Sequence, residues 1–270
     1  MNVGIIGYRS MGRMLLEKFS EANKDGKNKL FVSNRSKEKL ADVPGQVTVC
    51  SSNNELAENA DIIFLCVRPA DIKLVLEEIK DTVKKQALIV SLNGNVPFSL
   101  LEKLTENKLA KVIPSVTAEV DRSQTLVCYN GSFSKEDKQA LEELLCSFGK
   151  CIELPENELG MGSELVSCMP GFIASIFDVI CRSALKHTSI PENQVVRMVL
   201  ETLGAASELM LKKDMSFEDV VKRVATKGGI TEEGTKVVYE SFPDTADRLF
   251  EKTLEKRRLT AENAEKAFKA

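Results

Sequence analysis

The stretch Val3-Gly4-Ile5-Ile6-Gly7-Tyr8-Arg9-Ser10-Met11-Gly12 decides the fold. Its apolar start predicts a short buried strand, Gly7 a tight turn, and the run from Ser10 the opening of a helix. Strand, glycine turn and helix in that order mark a dinucleotide-binding unit. The first glycine of such a unit makes the turn and the second lets backbone approach a pyrophosphate. The third lets the helix pack on the strand. Gly7 and Gly12 keep the outer places, and Arg9 stands where the middle glycine belongs. The same residues therefore predict the fold and question the ordinary mode of nucleotide binding.

Short apolar runs alternate with amphipathic stretches through residue 155, the rhythm of a doubly wound sheet. Strands are predicted at 3–6, 30–33, 47–50, 62–67, 88–91, 111–114, 124–129 and 150–154, with helices between them, such as 10–23, 69–84 and 134–148. Ser134 and Asp137 have the spacing of a helix cap. The fold class expected is α/β: an N-terminal Rossmann-type domain over 1–155, followed by an all-helical domain over 156–270. Within the second domain, 172–185 and 195–211 are apolar nearly all round, with few polar positions such as Asp178 and Arg182. A helix without a polar face has to be buried, and so few residues can hardly bury two of them. The expectation is a homodimer through the helical domain, with burial against the first domain as the alternative. Ser189-Ile190-Pro191-Glu192 resembles a capping box, and the charge-rich 244–270 reads as a surface helix lying on the bundle.

Composition narrows the function classes. A net charge of −3 offers no basic stripe, so no nucleic-acid partner is expected. The longest apolar runs, such as 62–67, fall far short of the ~20 residues of a membrane span, so no membrane partner is expected either. Gly4, Gly7 and Arg9 interrupt the early apolar stretch, against a signal peptide. The seven cysteines are scattered without a Cys-x-x-Cys, which favours reduced thiols and a cytoplasmic setting. His187 is the single histidine and reads as an exposed loop residue. No Ser-His-Asp arrangement and no metal cluster is expected, so a cofactor would have to carry the chemistry.

Ser33-Asn34-Arg35-Ser36 closes the second predicted strand. An NAD site expects an acid there for the ribose 2′-hydroxyl, whereas arginine and small polar groups suit a 2′-phosphate. NADP, with NADPH preferred over NADH, is the cofactor expected; an ordinary solvated turn is the plainer reading. Arg68, between Val67 and Pro69 at the end of the fourth strand, is placed to reach a cofactor, although a surface arginine would look the same. Further on, Ser163 to Phe172 sets hydroxyls before an apolar helix. Thr226-Lys227-Gly228-Gly229-Ile230-Thr231 precedes another helix, and its amides suit a carboxylate. The glycine pair reads equally as a bend, and Glu232 and Glu233 would oppose a carboxylate unless they point away.

Taken in order, Gly7…Met11-Gly12, Ser33-Asn34-Arg35, Cys66-Val67-Arg68-Pro69, Ile113-Pro114, Met169-Pro170 and Gly228-Gly229-Ile230-Thr231 resemble the pyrroline-5-carboxylate reductase family over nearly the whole chain. The resemblance implies reduction of a cyclic imine to proline by hydride from NAD(P)H. It implies cofactor contacts from Gly7, Arg9, Ser10, Met11, Gly12, Asn34, Arg35, Ser36, Asn53, Val67, Arg68 and Pro69. Ser163 would bond the imine nitrogen. Thr231, with the amides of Gly229 and Ile230, would hold the substrate carboxylate beside Thr226 and Gly228. There are departures: the flexible Ser-Gly-Ser-Gly segment is Val166-Ser167-Cys168-Met169 here, Lys227 replaces a proline, and Arg68 replaces a lysine. With Arg9 they look closer to a divergent late-competence (ComER) branch, for which a regulatory or scaffold role with weak or no reductase activity is the alternative.

Overall fold

Eight short segments rich in Val, Ile, Leu and Phe pair into one sheet in a computed structural model that describes residues 1–269. They are β1 (Asn2–Ile6), β2 (Lys29–Ser33), β3 (Thr48–Val49), β4 (Ile62–Leu65), β5 (Leu88–Ser91), β6 (Lys108–Ile113), β7 (Ser123–Tyr129) and β8 (Gly149–Glu153). The order is β3-β2-β1-β4-β5-β6-β7-β8. Every pairing is parallel except β6 with β7. Because β1, β4 and β5 carry helices on both faces, their side chains are buried on both sides rather than alternately. The order reverses at β1, which lies between β2 and β4. A crevice opens at the carboxyl ends of strands at such a switch point.

The helices of this layer are α1 (Ser10–Ala22), α2 (Asn53–Asn59), α3 (Pro69–Ile79), α4 (Phe98–Leu101) and α5 (Lys135–Leu145). Met14, Leu15 and Phe19 of α1 face the sheet, with the Phe19 ring 5.2 Å from Phe64 and 6.0 Å from Phe148. The cap expected at Ser134 forms as a reciprocal box. Ser134 Oγ accepts from the Asp137 amide at 3.2 Å, and an Asp137 carboxylate oxygen accepts from the Ser134 amide at 2.8 Å.

The remaining helices are α6 (Leu159–Ser163), α7 (Met169–Ala184), α8 (Glu192–Lys213), α9 (Phe217–Val224), α10 (Ile230–Ser241) and α11 (Pro243–Lys269). Between α6 and α7, Glu164–Cys168 form a π-turn that keeps the helix continuous into Pro170. A proline inside a helix removes one amide and crowds the preceding turn, and a wider turn relieves both demands. By compactness the chain forms two units, one of residues 1–170 with the stretch from 254 onward and one of residues 171–253.

Several expectations need correcting. The stretch from 254 onward belongs to the first unit: Ala264 is buried in the same apolar cluster as Leu126 and Leu159, and Phe268 packs on it. The stretch 244–270, expected to lie on the bundle as one surface helix, thus divides, with 244–253 in the second unit and 254 onward in the first. Ser189 caps nothing; Pro191 occupies the N-cap of α8, and no side chain bonds its first turn. The sixth strand starts at Lys108 rather than Lys111, and α3 ends at Ile79 rather than Lys84. The helical stretch 156–184 has, by length and composition, the makeup of a membrane-crossing helix, with a mean hydropathy of 1.6 over its most apolar window, a makeup that the core helix of a soluble protein shares.

The second unit leaves its apolar side chains in the open. Cys181 and Val195 are its buried hydrophobic residues, while Val179, Met198, Leu200, Leu211, Val237 and Tyr239 are exposed. A single copy of this unit does not bury the faces that its sequence makes apolar.

Candidate functional site

Where the sheet order reverses, the carboxyl ends of β1, β2 and β4 border a cleft of about 430 Å³. Gly7 closes β1 with φ at +99°, a conformation that glycine adopts without strain. A Cβ at Gly7 would lie 2.7 Å from the Cys66 carbonyl oxygen, and one at Gly12 would strike the Gly7 carbonyl oxygen. These two glycines thus let β1, α1 and the end of β4 close on one another. Arg9 is the N-cap of α1 with extended backbone (φ −114°, ψ −166°), so a side chain there costs the turn nothing. The amides of Ser10, Met11 and Gly12 open the helix without intrahelical partners. No side chain caps them, and no acid lies in the first turn. Ser10 is exposed, while Met11 and Gly12 lie behind the turn.

The second wall comes from the end of β2. Asn34 Oδ1 accepts from the Tyr8 amide at 3.0 Å, and Asn34 Nδ2 donates to the Ser36 carbonyl at 2.8 Å. Asn34 therefore ties the glycine turn to the loop after β2. Arg35, Ser36, Lys37 and Lys39 follow along the cleft. Lys37 Nζ is spent on the carbonyls of Cys50 and Ser51, at 3.0 and 2.6 Å. Among the described residues, the side-chain cations of Arg9, Arg35 and Lys39 have no partner. Five cations and two acids line the cleft, so it favours an anion.

Asn53, at the start of α2, accepts from Ser33 Oγ at 2.7 Å and donates to Glu78 at 2.7 Å. Val67 and Arg68 line the cleft after β4, Arg68 pairing with Asp71 at 3.0 Å, and Pro69 begins α3 immediately behind. Sequence reasoning missed Ser51, Ser52 and Glu78 on this wall. Ser52 carried a signal, since its side chain caps α2 by accepting from the Glu55 amide at 3.1 Å. Glu78 carried none, because it reaches Asn53 across 25 positions.

Ser163 lies at the last position of α6 and is only 5% exposed. Its Oγ accepts from Arg257 Nη2 at 3.1 Å, and the same guanidinium pairs with Glu164 at 2.8 Å. Cys168 closes the π-turn, and burial, then the nearby Glu164 charge, push its thiol pKa up.

In the second unit, Thr226 to Gly229 form a tight turn before α10. Gly228 has φ at +72°, and the Gly229 amide donates to the Thr226 carbonyl at 2.8 Å. That amide was expected to be free for a substrate and is instead spent closing the turn. The Glu232 carboxylate points back and accepts from the Gly228 amide at 2.6 Å. The amides of Ile230 and Thr231 open α10 without intrahelical partners, and both residues are exposed.

The chain is 34% identical to pyrroline-5-carboxylate reductase 3 of Bacillus subtilis (strain 168), over 98% of each chain. The chain belongs to the pyrroline-5-carboxylate reductase family. The family model described as pyrroline-5-carboxylate reductase dimerisation matches residues 156–259, and the model described as NADP oxidoreductase coenzyme F420-dependent matches residues 2–95. ComE operon protein 4 of the same Bacillus strain is 26% identical over 94% of each chain. A crystal structure of the Plasmodium falciparum pyrroline carboxylate reductase with NADP bound superposes with a TM-score of 0.85 at 24% identity, covering 97% of this chain and 98% of that one. Within the pyrroline-5-carboxylate reductase fold, the dimerisation model spans both the apolar 156–184 helix and most of the exposed apolar surface of the second unit.

Proposed function

We propose that this chain reduces a cyclic imine with NADPH, pyrroline-5-carboxylate to proline being the reaction that best fits its relatives. The observation that carries the reading is the cleft at the strand switch. It joins a glycine cradle that a Cβ would fill, the open amides of α1 and the unpartnered Arg9 and Arg35. Those groups fit NADP(H). Ser10, Met11 and Gly12 offer amides to the pyrophosphate, with Arg9 as an added cation. Arg35 and Ser36, with no acid beside them, suit the 2′-phosphate. Asn34, Asn53, Val67 and Arg68 line the walls that would hold the nucleoside, with Pro69 behind them.

A dihydronicotinamide bound there supplies the hydride. Ser163 donates a hydrogen bond to the imine nitrogen. Thr226, Gly228, Ile230 and Thr231 hold the carboxylate, and the Gly229 amide supports the turn that presents them. Glu232 has to release the Gly228 amide before that donor can serve. The apolar surfaces of α7, α8 and α10 pair with those of a second copy, so the working form is a homodimer, and its relatives' chemistry suits the cytoplasm. A scaffold that had lost its ligand would have no use for Gly7 and Gly12 at the turn beside unpaired cations.

Purified protein mixed with pyrroline-5-carboxylate and NADPH, followed by the loss of nicotinamide absorbance, tests the reading. Turnover with NADPH favoured over NADH is expected. A folded dimer that binds neither nucleotide in calorimetric titration overturns it.

A further inference from the structure

Arg257 is the last cation that sequence reasoning would attach to the chemistry, because it stands 94 positions from Ser163 on α11. Its guanidinium nevertheless organises the segment that holds Ser163. Nη2 donates to Ser163 Oγ at 3.1 Å and to Glu164 Oε1 at 2.8 Å. Nε donates to the same Glu164 oxygen at 3.1 Å, and Nη1 to Asn95 Oδ1 at 3.2 Å. Glu164 is 1% exposed, and its second oxygen, Oε2, is buried away from the guanidinium, with the Cys168 thiol as the side chain that bonds this carboxylate.

The pattern is unusual for an ion pair made for stability. An arginine that only neutralises a carboxylate frequently places two nitrogens on two oxygens. Here two nitrogens share one oxygen, and the rest of the fork is spent on Ser163 and Asn95. A buried pair whose second oxygen has only a thiol beside it is poorly satisfied, and the fork reaches past the pair to Ser163 and Asn95. A cation donating to Ser163 Oγ occupies a lone pair of the hydroxyl. The hydroxyl proton must then be directed elsewhere, and the polarised O–H is a stronger donor. The π-turn that follows is the kind of distortion found at functional positions in helices.

We infer that Arg257 is a positioning residue for imine reduction: anchored by Glu164 and Asn95, it fixes the Ser163 hydroxyl as a donor to the imine nitrogen. The inference rests on the reading above that Ser163 meets the substrate. In the step itself the hydride and its electron pair form the new C–H bond at the imine carbon. The C=N π pair becomes the nitrogen's N–H bond with a proton drawn from water. Ser163 supplies the hydrogen bond that orients and polarises the nitrogen, and no proton leaves Arg257.

A double-mutant cycle on the full-length protein tests this, because coupled residues depart from additivity. The paired change Arg257→Met with Glu164→Gln avoids leaving a lone buried charge. It is made in the wild-type and Ser163→Ala backgrounds, and kcat and KM are measured with pyrroline-5-carboxylate and NADPH. In the wild-type background kcat should fall roughly 10- to 100-fold, the scale of a misplaced polar contact, with KM for NADPH unchanged. With Ser163→Ala already present, the same pair should cost under about threefold, and Arg257→Lys should recover part of the wild-type rate. Equal factors in both backgrounds overturn the inference and leave Arg257 a structural tie. If the paired variant fails to fold, Arg257→Lys run through the same cycle gives the same two outcomes. A wild-type protein that turns over no cyclic imine overturns the functional reading itself, and the inference with it.

Discussion

Replacing Arg9 by glycine, which restores the usual glycine pattern of the turn, should weaken cofactor binding rather than repair it. Arg9 has extended backbone, so the arginine imposes no strain that glycine would relieve. Glycine is also an acceptable N-cap, and the melting temperature should hardly move. What the change removes is an unpartnered guanidinium at the mouth of α1, beside three open amides. A hydrogen bond between charged groups is worth about 1.5–3 kcal/mol, and each 1.4 kcal/mol is tenfold in Kd, so the loss should be roughly 10- to 100-fold. The pyrophosphate is common to both cofactors, so NADPH and NADH should lose affinity by the same factor. The dependence of binding on salt should also flatten, because one charge pair is gone. Titration calorimetry with both nucleotides at two ionic strengths measures all of this. Unchanged or tighter binding by Arg9→Gly would refute the reasoning and make Arg9 an obstruction.

Arg35→Ala supplies the complementary result: NADPH should weaken about tenfold or more while NADH stays within about twofold, and equal losses would exclude a 2′-phosphate contact. Glu232→Ala frees the Gly228 amide that its carboxylate now occupies. KM for the imine carboxylate should fall by up to about tenfold with kcat unchanged, whereas a raised KM would mean that Glu232 supports the turn. At the α5 cap, the Asp137 carboxyl sits below its ordinary range although burial works to raise it; the Lys108 ammonium at 2.6 Å and the Ser134 bonds outweigh that penalty. A depressed folded value adds stability above the unfolded value of about 4 and loses it as pH falls through the folded one. Asp137→Asn should therefore cost about 1 kcal/mol at neutral pH and little at pH 2, as read from urea unfolding at the two pH values.

What the chain's sequence made legible is what depends on near neighbours. The turn from Gly7 to Gly12 was readable because each glycine answers a local demand, a positive φ at one and a close helix–strand approach at the other. The Ser134 box was readable for the same reason, with donor and acceptor three residues apart. Asn34 and Arg35 followed from their place after a strand, and the structure sets both on the cleft. Ser189 looked like a cap by spacing alone, but Pro191 already supplies the fixed φ at the helix entrance. The tie from Arg257 to Ser163, Glu164 and Asn95 was invisible, because it joins residues brought together only by tertiary packing. The same holds for Glu78 on Asn53. The exposed faces of α7 and α8 were legible as apolar from their sequence.

The central claim is that this chain passes a hydride from NADPH to the carbon of a cyclic imine. Incubation with pyrroline-5-carboxylate and NADPH deuterated at the transferring position, followed by mass spectrometry of the product, tests it most directly. The account predicts proline carrying one deuterium on Cδ, the former imine carbon, formed more slowly by Ser163→Ala. Unlabelled proline, or no proline from a folded dimer saturated with NADPH, would contradict it.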